Sequence, residues 1–299
     1  MTLDEMRILR IAGDDRVEFL QGQLTQDVGK VDPEHAALAG WSNPKGRLLA
    51  VGQLLATPDA LLWPLPADVI DGVRRRLGMF VLRANVTIDV ADDEVCGLIG
   101  VDVDQVTTIG DIDVGAKPGA TAAAKGVIAT RLLGDPGRAL LCAPAARLRE
   151  LRERGGFGAT DENTWRLRDI RAGLPTIIAA TSEAFIPQMV NLDLLGGISF
   201  TKGCYVGQEI VARTQNLGRI KRRMHRFRAQ TGDAPLPGES IHGPDGATGK
   251  IVATARADDG TELTAVVAID RAAGPWFADT AGTAPLAPLT LPYAIGDTR

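Results

Sequence analysis

Apolar positions along the chain fall into two rhythms. In "PADVIDGVRRRLGMFVL" (Pro66–Leu82), Val69, Val73, Leu77 and Phe80 recur three or four apart. That spacing predicts an amphipathic helix, and Pro66 suits its first turn. In "GDDRVEFLQGQLTQDV" (Gly13–Val28), Val17, Leu20 and Leu24 predict a helix start capped by Asp14. "PAARLRELRERGG" (Pro144–Gly156) and "DENTWRLRDIRAGLP" (Asp161–Pro175) predict two more helices, the second stopped by Gly173 and Pro175. Between these lie short runs that read as strands. "NVTIDV" (Asn85–Val90) and "VCGLIGVDV" (Val95–Val103) are rich in β-branched residues, and "LLAVGQLLA" (Leu48–Ala56) follows an Asn-Pro and Lys-Gly turn. "DVGAKPGATAAAKG" (Asp113–Gly126) is small and polar and predicts a surface loop. The stretch up to Gly197 predicts loop and short helix, and "QEIVART" a short helix.

From Arg222 onward the period changes to two. "RRMHRFRAQ" places His225, Phe227 and Ala229 on one face, and "HGPDGATGKIVATA" and "LTAVVAID" read as further strands separated by turns. The pattern predicts two parts: residues 1–221 as an α+β portion with room for two subdomains, and residues 222–299 as a small β-barrel.

Composition narrows the function. The chain has 299 residues, 45% of them hydrophobic and 23% charged, an ordinary globular profile. The longest apolar runs are far shorter than the ~20 residues of a membrane span, and the early acids of "MTLDEMRILR" do not make a signal peptide. A cytoplasmic protein is expected. A net charge of −4 gives no general attraction to nucleic acid, and 4% aromatic residues leave few platforms on which bases could stack. Three scattered cysteines do not make a disulfide framework, and no metal-ligand spacing is present, so no metal site is expected.

One cysteine stands apart. Cys96 and Cys142 sit in apolar runs and read as core. Cys204 lies in "FTKGCYVGQEIVART", between Gly203 and Gly207, with Lys202 two residues before it. Those glycines permit unusual backbone angles and close approach, and the lysine charge favours a thiolate. A loop cysteine with no chemistry fits the residues equally well. A cysteine-protease reading needs a histidine base, and His35, His225 and His242 have no persuasive context. The basic run Arg219–Arg228 suits either a polyanion or a solvated strand edge. "GPDGATGK" has the wrong spacing for a phosphate loop and reads as a turn, and no dinucleotide fingerprint follows a strand. Arg171, near a helix end, could fork onto a planar ligand or simply complement the helix dipole.

Taken together, "FLQGQLTQDV", "NPKGRLLA", "DIRAGLP", "FIPQMVNLDLLGGISFTKGCYVGQEIVART" and "KRRM" resemble the YgfZ family of folate-binding proteins, in the family's order and over nearly the whole chain. That family is similar to the glycine-cleavage T-protein, an aminomethyltransferase. The resemblance implies an α+β aminomethyltransferase-like portion arranged as a ring around a folate channel, with a C-terminal β-barrel. It implies tetrahydrofolate, or a one-carbon derivative, as ligand. It also implies a part in assembly or repair of iron–sulfur enzymes, such as a radical-SAM tRNA methylthiotransferase, without direct tRNA contact. Cys204 would be the reactive thiol facing the channel, with Lys202 its electrostatic neighbour. Tyr205, Gly203, Gly207, Gln208, Glu209 and Arg171 would form the folate-binding set. Whether the protein turns over a substrate stays open.

Two departures from the T-protein pattern matter. The acidic pair that handles the substrate amine falls on Leu48, Leu49 and Ala50. The helix-end glutamate that reads the pterin falls on Arg171, which has no acceptor to offer. A folate-dependent aminomethyl or methyl transferase, or a demethylase, is the alternative. An RNA-binding scaffold using Arg219–Arg228 is the third.

Overall fold

Three β units carry the fold of the computed structural model, which describes residues 3–100, 103–104, 112–155, 161–216, 220–229 and 235–296. The first is a five-stranded antiparallel sheet of β1 (Met6–Ala12), β2 (Ala37–Ser42), β3 (Leu48–Ala56), β4 (Ala60–Pro66) and β5 (Thr87–Val90), in the order β2-β3-β4-β1-β5. Helix α1 (Arg16–Gln21) and helix α2 (Ala67–Gly78) pack on it. Val69, Ile70, Val73 and Leu77 of α2 share one core with Leu9, Ile11 and Trp63. Each such side chain contributes about 1.5–3 kcal/mol on burial.

The helix boundaries differ from the periodicity in two places. α2 stops at Gly78, so Phe80 leaves the apolar face and is 40% exposed. α1 is one and a half turns long; Leu20 and Leu24 are buried but Val17 is exposed. Asp14 does not cap α1. Asp15 precedes the helix, and its carboxylate accepts from the Asn85 amide instead.

The second sheet joins β6 (Glu94–Ile99), β7 (Thr121–Ala124), β8 (Val127–Leu132) and β9 (Arg138–Ala143) in the order β6-β9-β8-β7. Strand β7 corrects the expected loop over Asp113–Gly126. Its small residues pair with β8, and Thr121 donates to Thr130 across the pair. Residues 101–102 of the strand expected over Val95–Val103 lie outside the described residues. Helix α3 (Ala145–Gly155) covers this sheet with Leu148 and Leu151.

Helix α4 (Glu162–Ala172) bridges to the third unit. Asp161 caps it by accepting from the Thr164 amide at 2.7 Å, and Gly173 stops it at φ +66°. Leu167 and Ile170 pack on the barrel, against Ala253 and Ala255. Trp165 packs on the second sheet, where a β-carbon at Gly97 would lie 2.5 Å from the indole ring. After helix α5 (Gln208–Asn216) comes a closed antiparallel barrel. Its strands are β10 (Arg222–Ala229), β11 (Ser240–His242), β12 (Thr248–Ala257), β13 (Gly260–Ala268), β14 (Trp276–Phe277) and β15 (Pro285–Leu289). Strand β15 pairs back onto β10, from Arg226 opposite Leu289 to Ala229 opposite Leu286. Phe227, Ile251, Leu263 and Trp276 fill its interior. No described helix is long and apolar enough to cross a membrane.

Candidate ligand-binding site

The three β units meet around a cavity of about 500 Å3. Its walls come from every unit: Val51 and Pro64 of the first sheet, Leu132 and Leu140 of the second, and Val252 and Ala253 of the barrel. Helix α4 contributes Glu162, Trp165, Arg166 and Asp169. These four sit at i, i+3, i+4 and i+7, one face of a helix. A second cavity of about 410 Å3 adjoins the first, and Leu38, Gln53 and Leu174 line both. Gln26, Arg131, Leu194 and Tyr293 belong to the second. Volumes of this size suit a drug-sized ligand, and a mostly apolar lining with few polar groups is the usual composition of such sites.

The polar groups of the first cavity are fixed. Arg138 of β9 is fully buried and donates Nη1 to Asp169 Oδ1 at 2.7 Å. Its Nε and Nη2 both reach the Leu133 carbonyl, and its guanidinium lies 5.0 Å from the Trp165 ring centroid. Burial raises the Asp169 carboxyl above its ordinary range, with Arg138 opposing. Near the rim, Arg166 pairs with Glu5, and Glu162 Oε1 accepts from the Glu5 amide at 2.8 Å. Burial, then the neighbouring Glu5 carboxylate, raises Glu162. Asp68 accepts from the Ala179 amide at 2.9 Å.

The loop at Lys202–Gly207 lies outside both linings. Lys202 is its anchor. The ammonium donates to the carbonyls of Gln21 (2.6 Å), the last residue of α1, and of Leu24 (2.8 Å) and Gln26 (2.8 Å) just beyond it. It also lies 5.1 Å from the Tyr205 ring centroid. Burial lowers Lys202 to about 8 against a weaker pull from Asp27. All three donors of the ammonium are thus spent on backbone, so its charge is aimed at carbonyls and away from a ligand. Since Gln26 lines the second cavity, Lys202 ties the loop to that cavity's rim.

The other loop residues separate by role. Gly207 has φ +81°, and a β-carbon there would lie 2.6 Å from the Asn43 carbonyl, so this position requires glycine. A β-carbon at Gly203 would meet nothing within 4 Å. Tyr205 is buried, which pushes its hydroxyl up to about 12. Gln208 and Glu209 open α5, where Glu209 is exposed. Cys204 is exposed and belongs to neither cavity lining. Cys96 and Cys142 are buried, as their apolar runs predict.

Arg171 does not join this loop or either cavity. It turns onto the barrel and forks onto Glu262 Oε1 through Nε (3.1 Å) and Nη2 (2.8 Å). Arg226 forks onto Glu262 Oε2. Arg223, Arg226 and Arg228 of the basic run are consumed the same way, while Lys221 and Arg222 are exposed. Arg228 pairs with Asp259, and Arg223 holds the buried Asp193 through two bonds of 2.7 and 2.8 Å. Arg219 lies outside the described residues. Leu48, Leu49 and Ala50 are buried core positions of β3. Among the described residues, no group of three or more His, Cys, Asp or Glu side chains could hold a metal ion.

Sequence reasoning missed Arg138, Trp165, Asp169, Gln53 and Tyr293. The signal for Trp165 and Asp169 was present, as the second stripe of the helix over Asp161–Pro175. Arg138 and Tyr293 carry none, because only tertiary packing sets Arg138 behind Asp169 and brings Tyr293 to the second cavity.

Comparisons with known proteins follow this geometry. No family model matches the chain. It is 30% identical over 314 aligned positions to the tRNA-modifying protein YgfZ of Yersinia pestis, covering all of this chain and 93% of that one. It is 33% identical over 276 positions to the protein of that name from Klebsiella pneumoniae, covering 89% of this chain and 84% of that one. The corresponding Colwellia psychrerythraea protein is 30% identical over 87% of this chain and 82% of its own. In structure, the chain resembles the glycine cleavage system aminomethyltransferase T from Bartonella henselae. The TM-score is 0.73 at 15% identity, over 98% of this chain and 85% of that one. The likeness establishes an aminomethyltransferase-like fold.

Proposed function

Since the chain belongs to the family of tRNA-modifying YgfZ proteins, we propose that it binds tetrahydrofolate and supports the assembly or repair of iron–sulfur enzymes, radical-SAM tRNA methylthiolation included. The observation that carries the folate reading is the cavity of about 500 Å3 where the three β units meet. The residues present fit the ligand. A pterin is a flat heterocycle with N–H donors along one edge. The lining offers apolar walls, the Trp165 indole and carboxylates as acceptors. Tetrahydrofolate, when bound, supplies one-carbon chemistry. The protein's own part is to hold the ring, exclude water from it and present its polar edge to fixed acceptors.

Cys204 is the thiol available to a partner protein. Its exposure suits contact with a damaged or half-built iron–sulfur enzyme in the cytoplasm. Lys202 and Gly207 shape the loop that carries it. Replacement of Cys204 by alanine should abolish cellular function while leaving the melting temperature nearly unchanged. A variant with full activity would remove the thiol from the mechanism. Arg223, Arg226 and Arg228 are already paired with carboxylates, which leaves Lys221 and Arg222 as the exposed cations of the basic run among the described residues.

The test of the folate reading is calorimetric titration of tetrahydrofolate under anaerobic, reducing conditions. Saturable one-to-one binding is expected. No binding at millimolar ligand would overturn it. The transferase or demethylase alternative draws no support from β3, whose Leu48, Leu49 and Ala50 are apolar and buried. Methylene-tetrahydrofolate formed from a small amine would favour it.

A further inference from the structure

We propose that the corner formed by the loop 79–83 and the first turn of α1 is a docking surface for the protein that meets Cys204, and that it takes an acidic segment carrying apolar side chains. The inference rests on the reading of Cys204 as a thiol presented to a partner, and adds where that partner binds.

Seven large hydrophobic side chains are exposed among the described residues, and four of them, Val17, Met79, Phe80 and Leu82, gather at this corner. Hydrogen bonds fix their neighbourhood. The Asn85 amide donates to Asp15 Oδ2 at 2.7 Å, and Asn85 Nδ2 donates to Asp14 Oδ2 at 3.2 Å. The Asp15 amide donates back to the Asn85 carbonyl at 3.3 Å. The segment after α2 is thereby stitched to the start of α1, two residues before Val17. Isolated exposed leucines are ordinary, but apolar side chains gathered on a surface mark an interaction site. Leu82 is the extreme case. It is 90% exposed and left-handed at φ +44°, a conformation that bulky side chains avoid. The fold gains almost no burial from a leucine there, and asparagine would suit that backbone better.

Charge points to the kind of partner. Arg74, Arg75 and Arg76 lie at the end of α2, and Arg83 follows Leu82. Arg76 is held by Glu183, and Arg74 lies 3.8 Å from Asp71. Arg75 and Arg83 are exposed and in no ion pair among the described residues; Arg75 spends only Nε, on the Asp71 carbonyl at 3.4 Å. Across the corner, Asp14 and Asp15 are taken up by Asn85, and Glu18 is exposed. Two uncommitted guanidinium groups beside an apolar tip complement an acidic, apolar segment. A face bordered by Asp14 and Glu18 is poorly matched to anionic lipid. A stable dimer needs ~800 Å2 from each copy, more than four side chains supply, whereas transient encounters bury less.

The corner adjoins the cysteine loop by two routes. Helix α1 has six residues, about 9 Å by the rise of an α-helix. Val17 sits in its first turn, while the Gln21 and Gly22 carbonyls at its far end accept from Lys202 Nζ and the Val206 amide. Helix α2 gives the second route. Arg76 pairs with Glu183, Glu183 Oε2 accepts from Asn43 Nδ2 at 3.0 Å, and Gly207 lies against the Asn43 carbonyl. Phe200, two residues before Lys202, is exposed in the same segment as the cysteine. A protein seated on the corner therefore has Cys204 at its edge.

The test uses a purified radical-SAM tRNA methylthiotransferase as the partner, fluorescently labelled and titrated anaerobically with the full chain by anisotropy. Wild type should bind, with affinity falling as salt rises. Leu82→Asn should bind at least fivefold more weakly while its melting temperature is unchanged or raised, because the change removes an apolar contact and relieves the backbone. The double variant Arg75→Glu, Arg83→Glu should lose at least tenfold and most of the salt dependence. Wild-type affinity in either variant overturns the inference and leaves the reading of Cys204 intact. No binding by wild type overturns the methylthiotransferase as partner, and this inference with it. Sedimentation and phosphatidylglycerol vesicles test the other occupants. A wild-type dimer, or vesicle binding, that Leu82→Asn abolishes would assign the corner to a second copy or to lipid and overturn the inference too.

Discussion

The hydroxyl of Tyr293 donates to the carbonyl of Gly173 at 2.8 Å, while a β-carbon on Gly173 would lie 2.7 Å from that same hydroxyl. The left-handed stop of α4 and the aromatic wall of the second cavity therefore occupy one place. Gly173→Ala should cost about 2–3 kcal/mol, from backbone strain and displacement of the ring. Thermal melting measures the cost. A variant as stable as wild type would mean that the ring moves freely.

The three thiols should react at very different rates. Cys204 is exposed, whereas Cys96 and Cys142 are buried and burial pushes Cys142 up to about 12. An aromatic disulfide reagent should modify one thiol quickly in the native protein and the other two only on unfolding. Mass spectrometry of the labelled protein should place the fast adduct on Cys204. Fast labelling of all three would contradict the burial.

Lys202→Met should loosen the cysteine loop from the rim of the second cavity. Three carbonyls lose their donor, at a cost of about 2–3 kcal/mol if water replaces it only in part. Hydrogen exchange should quicken at Ser199 and Val206, whose amides bond Thr25 and Gly22 across the same junction. Unchanged exchange at both would show the loop to be held by other contacts.

Glu262 joins α4 to the barrel. Burial alone would raise its pKa, but Arg171 and Arg226 outweigh it and hold the carboxyl below its ordinary 4.5. A depressed carboxylate contributes stability above its unfolded value and loses it as pH falls through the folded one. Glu262→Gln should therefore lower the melting temperature at neutral pH, and the deficit should narrow below about pH 4.5. A deficit independent of pH would mean that packing, not charge, makes the link. Leaving two arginines without their partner should cost about 2–3 kcal/mol, less than for a wholly buried pair because Arg171 is 34% exposed.

The sequence was most legible where one face of an element is apolar and its ends are punctuated. Gly173 ends α4 because a left-handed stop favours glycine, and α2 carries Val69, Val73 and Leu77 on one stripe. It was least legible where pairing partners make the element. Thr121–Ala124 has small, weakly β-forming residues and becomes a strand because β8 lies alongside. The site divides in the same way. "TKGCYVGQE" stands out as a loop of unusual residues, but nothing in it says that Lys202 donates to three backbone carbonyls or that Cys204 is exposed. Asp169 was overlooked for another reason. The helix has one face on the barrel and a mostly polar stripe, Glu162, Trp165, Arg166 and Asp169, on a cavity, and such a stripe reads in sequence as an ordinary solvated face.

The anchoring of Lys202 to Gln21, Leu24 and Gln26 spans more than 170 positions of chain. During synthesis the first sheet can assemble from residues 6–90 as they emerge, but the ledge on which the cysteine loop rests must wait. The segment after α1 keeps its carbonyls in water until the ribosome has delivered most of the protein. Cys204 therefore gains its presented geometry only at a late stage of folding. Contacts so distant in sequence are slow to form, because a long loop must be closed first. A shortened chain ending before residue 202 would carry an intact first sheet whose α1 terminus lacks its cation.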